Sequence, residues 1–76
     1  MAVEVDGSGK TYVEVGTLPD ERLRLTLVPA AEAGYGVESI RLQIREESGH
    51  LRQGPEVPVV TLGTAFAAVV ELLLQR

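Results

Sequence analysis

The chain has no cysteine, no asparagine and only one histidine, His50. Without thiols no disulfide can staple the fold, and a lone imidazole argues against structural zinc. His50 lies in a glycine-bearing loop with no serine–carboxylate or cysteine arrangement beside it, so it reads as a solvated loop side chain. With no nucleophile–base pair and no metal set, the expectation is a protein that is not an enzyme and needs no cofactor. Aromatics are scarce, at 4%. Lys10 is the only lysine, so the other basic side chains are arginines. That bias fits a thermophile or a GC-rich genome.

Long hydrophobic runs are also missing. The longest lies at the C-terminus and is too short to span a bilayer. Met1 leads into the alternating Val3-Glu4-Val5-Asp6 and not into a basic stretch with an apolar run, which makes the cytoplasm the simplest expected location. A net charge of −4 and a pI near 4.8 argue against a generally basic, phosphate-seeking surface, while leaving room for a local basic patch.

What is present is an ordinary folded composition, 45% hydrophobic and 24% charged. Seventy-six residues allow one domain, 1–76, whose core is marginal without help. With disulfides and zinc set aside, oligomerisation is the remaining common source of that help.

Hydrophobic alternation marks the strands. Residues 2–6 and 11–15 alternate around Asp6-Gly7-Ser8-Gly9, strong hairpin chemistry. Thr17-Leu18-Pro19-Asp20 is the next turn, with Pro19-Asp20 suited to the middle of a type I turn. Residues 21–28 form the clearest strand, with Leu23, Leu25 and Leu27 on one face and Arg22, Arg24 and Thr26 on the other. After a loop at 29–37, which holds a possible helical turn at 30–33, residues 38–46 place Ile40, Leu42 and Ile44 opposite Arg41, Gln43 and Arg45. A polar loop is expected at 47–55, and a final strand at 57–62 with Pro58 suggesting an edge position. Thr61 or Thr64 then caps a helix over about 64–75. The fold class is α+β: an antiparallel sheet of four to five strands followed by one C-terminal helix, in the order β-β-β-β-β-α.

That helix carries more apolar surface than one sheet face can cover. Phe66, Val69, Val70 and Leu73 make an ordinary core stripe, while Leu72 and Leu74 fall on its flanks. Either the helix tucks deeply into a curved sheet of its own chain, or a second copy covers the flanks. The dimer is the favoured expectation, with Phe66, Val70, Leu72 and Leu74 at its interface.

Gly7-Ser8-Gly9-Lys10-Thr11 reproduces the end of a phosphate-binding P-loop. The motif's first glycine would fall on Glu4, and the helix that must follow is replaced by a strand, so a hairpin turn is the better reading. Glu46 and Glu47 point to opposite faces of a strand and suit neither acid–base chemistry nor chelation. Tyr35, between Gly34 and Gly36, either stacks on a base or folds back on the protein.

The strongest polar feature is a face. Arg22, Arg24, Arg41 and Arg45 project from one side of the sheet if their two strands pair. Such a surface can hold a phosphate backbone and stack on bases. Equally, it can be a solvated outer face balanced by Glu4 and Glu14 across strands.

The stretch Ile40-Arg41-Leu42-Gln43-Ile44-Arg45-Glu46 resembles the aliphatic strand ending in Ile-Arg-Glu of the positive-cofactor-four family of transcriptional coactivators, which is similar in fold to the Whirly proteins. A glycine- and proline-bearing loop follows at 48–55. Val60-Thr61-Leu62 stands where that family has an Ile-Ser-Leu strand end, and Arg22-Leu23-Arg24-Leu25-Thr26-Leu27 stands for its basic second strand. The resemblance spans about residues 10–75. The chain departs from the family at Glu47-Ser48, where aromatics are usual, at Glu56-Val57-Pro58, where lysines are usual, and at Phe66, where tryptophan is frequent. The resemblance implies a dimer that binds single-stranded DNA or RNA and regulates transcription, with Arg22, Arg24, Arg41, Arg45 and the available tyrosine Tyr12 as binding candidates. The alternative is a dimeric protein-interaction or structural module of the same fold without nucleic-acid binding.

Overall fold

A computed structural model of the chain describes residues 1–17 and 19–76. It forms a five-stranded antiparallel sheet in sequential order, followed by one helix. The strands are β1 (Glu4–Val5), β2 (Thr11–Gly16), β3 (Arg22–Val28), β4 (Ser39–Arg45) and β5 (Leu51–Pro58), and the helix α1 spans Val59–Gln75.

Two hairpins are built alike. In the first, the Asp6 N–H donates to the Lys10 carbonyl at 2.8 Å, and Gly9 takes a φ of +88°. In the second, the Glu46 N–H donates to the His50 carbonyl at 2.9 Å, and Gly49 takes a φ of +93°. A left-handed glycine after a tight turn gives a bulged hairpin whose twist matches the strands. Gly7–Lys10 is therefore a turn, and Thr11 opens β2 as expected. The Asp6 carboxylate accepts from the N–H groups of Ser8 and Lys10 and from the Ser8 hydroxyl. Those bonds, the Ser8 hydroxyl first, hold its pKa below the ordinary aspartate value. The turn expected at Thr17-Leu18-Pro19-Asp20 lies partly outside the described residues, through Leu18. At its flanks the Thr17 N–H donates to the Glu21 carbonyl at 3.0 Å.

β5 and α1 correct the expected boundaries. Residues 51–55, expected in a loop, lie in β5, and residues 59–62, expected in a strand, open α1. The strand survives its Gly54-Pro55 pair by bulging. Arg41 opposes Glu56 and Gln43 opposes Gln53, so Gly54 and Pro55 together face Leu42. A side chain at Gly54 would begin 2.3 Å from the Leu42 carbonyl oxygen, which only glycine permits. Pro58 is the N-cap of α1, and no side chain caps it, so neither Thr61 nor Thr64 has that role. Proline's fixed φ suits a chain entering a helix.

The interior also differs from expectation. On the apolar face of β3 and β4, Leu23, Leu25, Ile40, Leu42 and Ile44 are only half-buried and Leu27 is exposed. The most buried residues, Val28, Thr26, Ser39 and Gln43, all lie on the polar face. The connection 29–38 and the long arginine side chains cover that side, whereas little covers the other. Helix α1 leans mainly on β5, and from Gly63 onward every residue is exposed. Phe66, Val69, Val70 and Leu73, expected to fill the subunit's own core, are 71%, 50%, 55% and 50% exposed. They do not fill it because α1 packs mainly on β5 and leaves a groove between itself and the other strands.

The chain is accordingly open in shape. Its accessible surface is 5496 Å², against about 4,500 Å² for a compact monomer of this mass. Its radius of gyration is 13.7 Å, against about 11 Å for a compact chain of this length.

Candidate functional site

Strand register fixes the layout of the polar face. One row across the sheet runs Glu4, Tyr12, Thr26, Arg41, Glu56; the next runs Glu14, Arg24, Gln43, Gln53; the third runs Gly16, Arg22, Arg45, Leu51. All four predicted arginines and Tyr12 therefore share one surface, as alternation along β2, β3 and β4 requires.

They are not free cations. Glu14, with its side chain 12% exposed, sits between two guanidiniums. Arg24 donates to it from Nε at 2.9 Å and Nη2 at 2.8 Å. Arg45 reaches diagonally from the third row, with Nη2 at 2.6 Å and Nε at 3.0 Å from both carboxylate oxygens. The Arg45 hydrogen bonds lead in holding the Glu14 carboxyl below its ordinary range, and they raise the Arg45 guanidinium in return. Arg24 also lies over the Tyr12 ring, 4.1 Å from its centroid, a cation–π contact. Burial, with Glu4 next to it, pushes the Tyr12 phenol above 10.0.

Arg41 is held by Glu56 at 3.1 Å, and the other oxygen of that carboxylate accepts the Gly34 N–H at 3.1 Å. Glu56 thus ties the 29–38 connection to the sheet, and these two bonds, the Gly34 one first, lower its pKa. Beneath the arginines, Gln43 donates to Gln53 at 3.2 Å. Arg22 has no carboxylate partner among the described residues.

The sequence reading missed Glu56, which lay in an expected loop–strand boundary, and Arg52. The bulge turns Arg52 to the apolar side beside Ile44, where it bridges Glu21 and Glu46 at 3.0 Å each. Glu46 therefore has a structural ion pair. His50 and Tyr35 are exposed, and among the described residues no group of acidic or histidine side chains could hold a metal ion.

The opposite face is an apolar groove of about 400 Å³, lined by Val3, Val13, Leu25, Leu27, Ile40 and Leu42, with Leu62 and Phe66 of α1 at its side. Beyond it Leu72 and Leu74 are 71% and 73% exposed. Among the described residues no helix is long and apolar enough to cross a membrane. Val60-Thr61-Leu62, matched above to a strand end, lies in the opening turns of α1.

Comparison with protein-family models, with curated proteins and with solved structures returns no match.

Proposed function

We propose that the chain works as a homodimeric module for binding single-stranded nucleic acid, of the kind that regulates transcription. One observation carries this reading: the two faces of the sheet are divided, one apolar and uncovered, the other bearing four arginines and a tyrosine. The surface in excess of a compact monomer, about 1,000 Å², is the amount that each partner buries in a stable interface. A second copy closes the groove with Phe66, Val70, Leu72 and Leu74, and both arginine faces stay outward. There, guanidiniums meet phosphates, and Tyr12 with Arg24 offers a stacking surface. The resemblance to the positive-cofactor-four family supports the same pairing of dimer and strand binding.

The test is a titration of a labelled single strand at low salt, with duplex as control, alongside light scattering. The reading expects a dimer at tens of micromolar and micromolar strand binding that weakens with salt and vanishes in Arg24→Glu with Arg45→Glu. A stable monomer, or no strand binding at low salt, refutes it.

A second reading, a dimeric protein-interaction module, is favoured by the ion pairs on the arginine face. Glu14 and Glu56 already neutralise much of its charge. It expects the same dimer with no strand binding at any salt concentration.

A further inference from the structure

Arg22 and Arg45 are direct cross-strand partners on one face, and like charges so placed repel. Their row contains no carboxylate; its other members are Gly16 and Leu51. Arg45 resolves the conflict by turning to Glu14 in the neighbouring row. Arg22 lies back over Gly16, its Nη1 3.9 Å from where a side chain there would begin. The row is thus bare of a side chain at Gly16, where Arg22 lies over the backbone, and it carries two guanidiniums, one of them 39% exposed and, among the described residues, tied only to a carboxylate shared with Arg24.

We propose that this row is a phosphate seat and that Glu14 is its built-in competitor. An incoming phosphate is received by Arg22, draws Arg45 off Glu14, and is held by both. Glu14 stays neutralised by Arg24, whose stack on Tyr12 is left in place. The exchange needs no proton and breaks no covalent bond: one anion replaces another on Arg45 while Arg24 keeps the first. A guanidinium fork receives phosphate and carboxylate with the same geometry, so the exchange is between like partners. Glu14 thereby sets a threshold: only a ligand that offers Arg45 more than a buried carboxylate does will bind. The seat rests on the strand-binding reading for its natural ligand but not for its existence, because free phosphate has the same chemistry.

The test uses the full chain, wild type and Glu14→Gln, with two probes: an oligothymidylate of about fifteen nucleotides and inorganic phosphate. Removing the competing charge is expected to tighten the oligonucleotide on the order of tenfold. In the wild type, where folding of the variant is not in question, the side-chain Nε–H resonance of Arg45 should shift on titration, while the Nε–H of Arg24 should stay protected from solvent exchange by its bond to Glu14. Arg22→Gln should abolish the Arg45 response. If phosphate alone elicits it and the oligonucleotide does not, the seat stands and the strand-binding reading falls. If the oligonucleotide binds while Arg45 does not respond and natively folded Glu14→Gln gains nothing, the seat falls and the strand-binding reading stands. If neither probe moves Arg45 or binds either protein, both fall.

Discussion

Gly54→Ala tests whether the β5 bulge is structural. The new methyl would sit 2.3 Å from the Leu42 carbonyl oxygen and 3.2 Å from its carbon, and the obstacle is backbone, not a side chain that can swing away. Reaching ordinary contact, which begins at 3.4 Å, requires β5 to retreat from β4 by roughly 1 Å, and an N–H···O pair near 2.9 Å stretched that far is lost. The pairs on either side of the bulge, Arg41 with Glu56 and Gln43 with Gln53, take the strain. Two to three ladder bonds at about 1 kcal/mol each put the expected loss at about 2–3 kcal/mol, a large share of the stability of a small domain. Urea unfolding followed by far-ultraviolet circular dichroism measures it. Gly7→Ala is the control, because among the described residues nothing lies within 4 Å of a side chain there and its φ is not positive. That control should be neutral or slightly stabilising. Equal midpoints for the two variants would show that β5 does not depend on a glycine at this point, and the reasoning would be wrong.

Three other outcomes follow from particular contacts. Glu14 and Glu56 have folded pKa values below 4.5, so their contribution is complete above that value and is lost as pH falls through the folded values; thermal midpoints should hold from pH 8 to about 5, drop below about 4.5, and drop less in Glu14→Gln. In the proposed dimer Leu72 would be buried twice, so at roughly 1.5–3 kcal/mol per side chain Leu72→Ala should raise the dissociation constant about two to four decades; an unchanged sedimentation profile across a dilution series would refute that role for Leu72. In a Tyr35→Phe background, the ultraviolet titration of Tyr12 should reach its midpoint above pH 10.0, because burial and Glu4 outweigh the opposing Arg24 charge, and a midpoint below that value would contradict this balance.

The sheet was legible in the sequence because alternation has one structural meaning over seven residues. The runs through Leu23-Leu25-Leu27 and Ile40-Leu42-Ile44 gave β3 and β4 with correct faces, and hence the shared surface of Arg22, Arg24, Arg41 and Arg45. Residues 51–62 were misread because local chemistry and tertiary context disagree there. Gly54 and Pro55 carry turn chemistry but are absorbed by a bulge, and Val59-Val60-Thr61 are strand formers that open a helix. The ion pairs were hidden for a different reason. Glu14 was placed on the correct face, but its capture of Arg45 is a diagonal reach across β3, which pairing by rows does not reveal. At the helix the apolar pattern was legible but its burial was not: the core stripe of Phe66, Val69, Val70 and Leu73 lies exposed together with the flanks at Leu72 and Leu74.

The bulge also decides the charge of each face. Continued without it, the register through Arg41–Glu56 would set Arg52 opposite Arg45 and Gln53 opposite Ile44. That would put a third arginine beside Arg22 and Arg45, in a row that already has no acid, and a polar amide among the aliphatic side chains. One extra residue shifts the parity of 51–53. Gln53 then meets Gln43 on the polar face, and Arg52 crosses to the apolar rim between Glu21 and Glu46. The same shift leaves Arg22 and Arg45 as the two cations of their row, few enough for a single phosphate to satisfy. Gly54, which touches neither guanidinium, is therefore the residue on which the composition of that row depends.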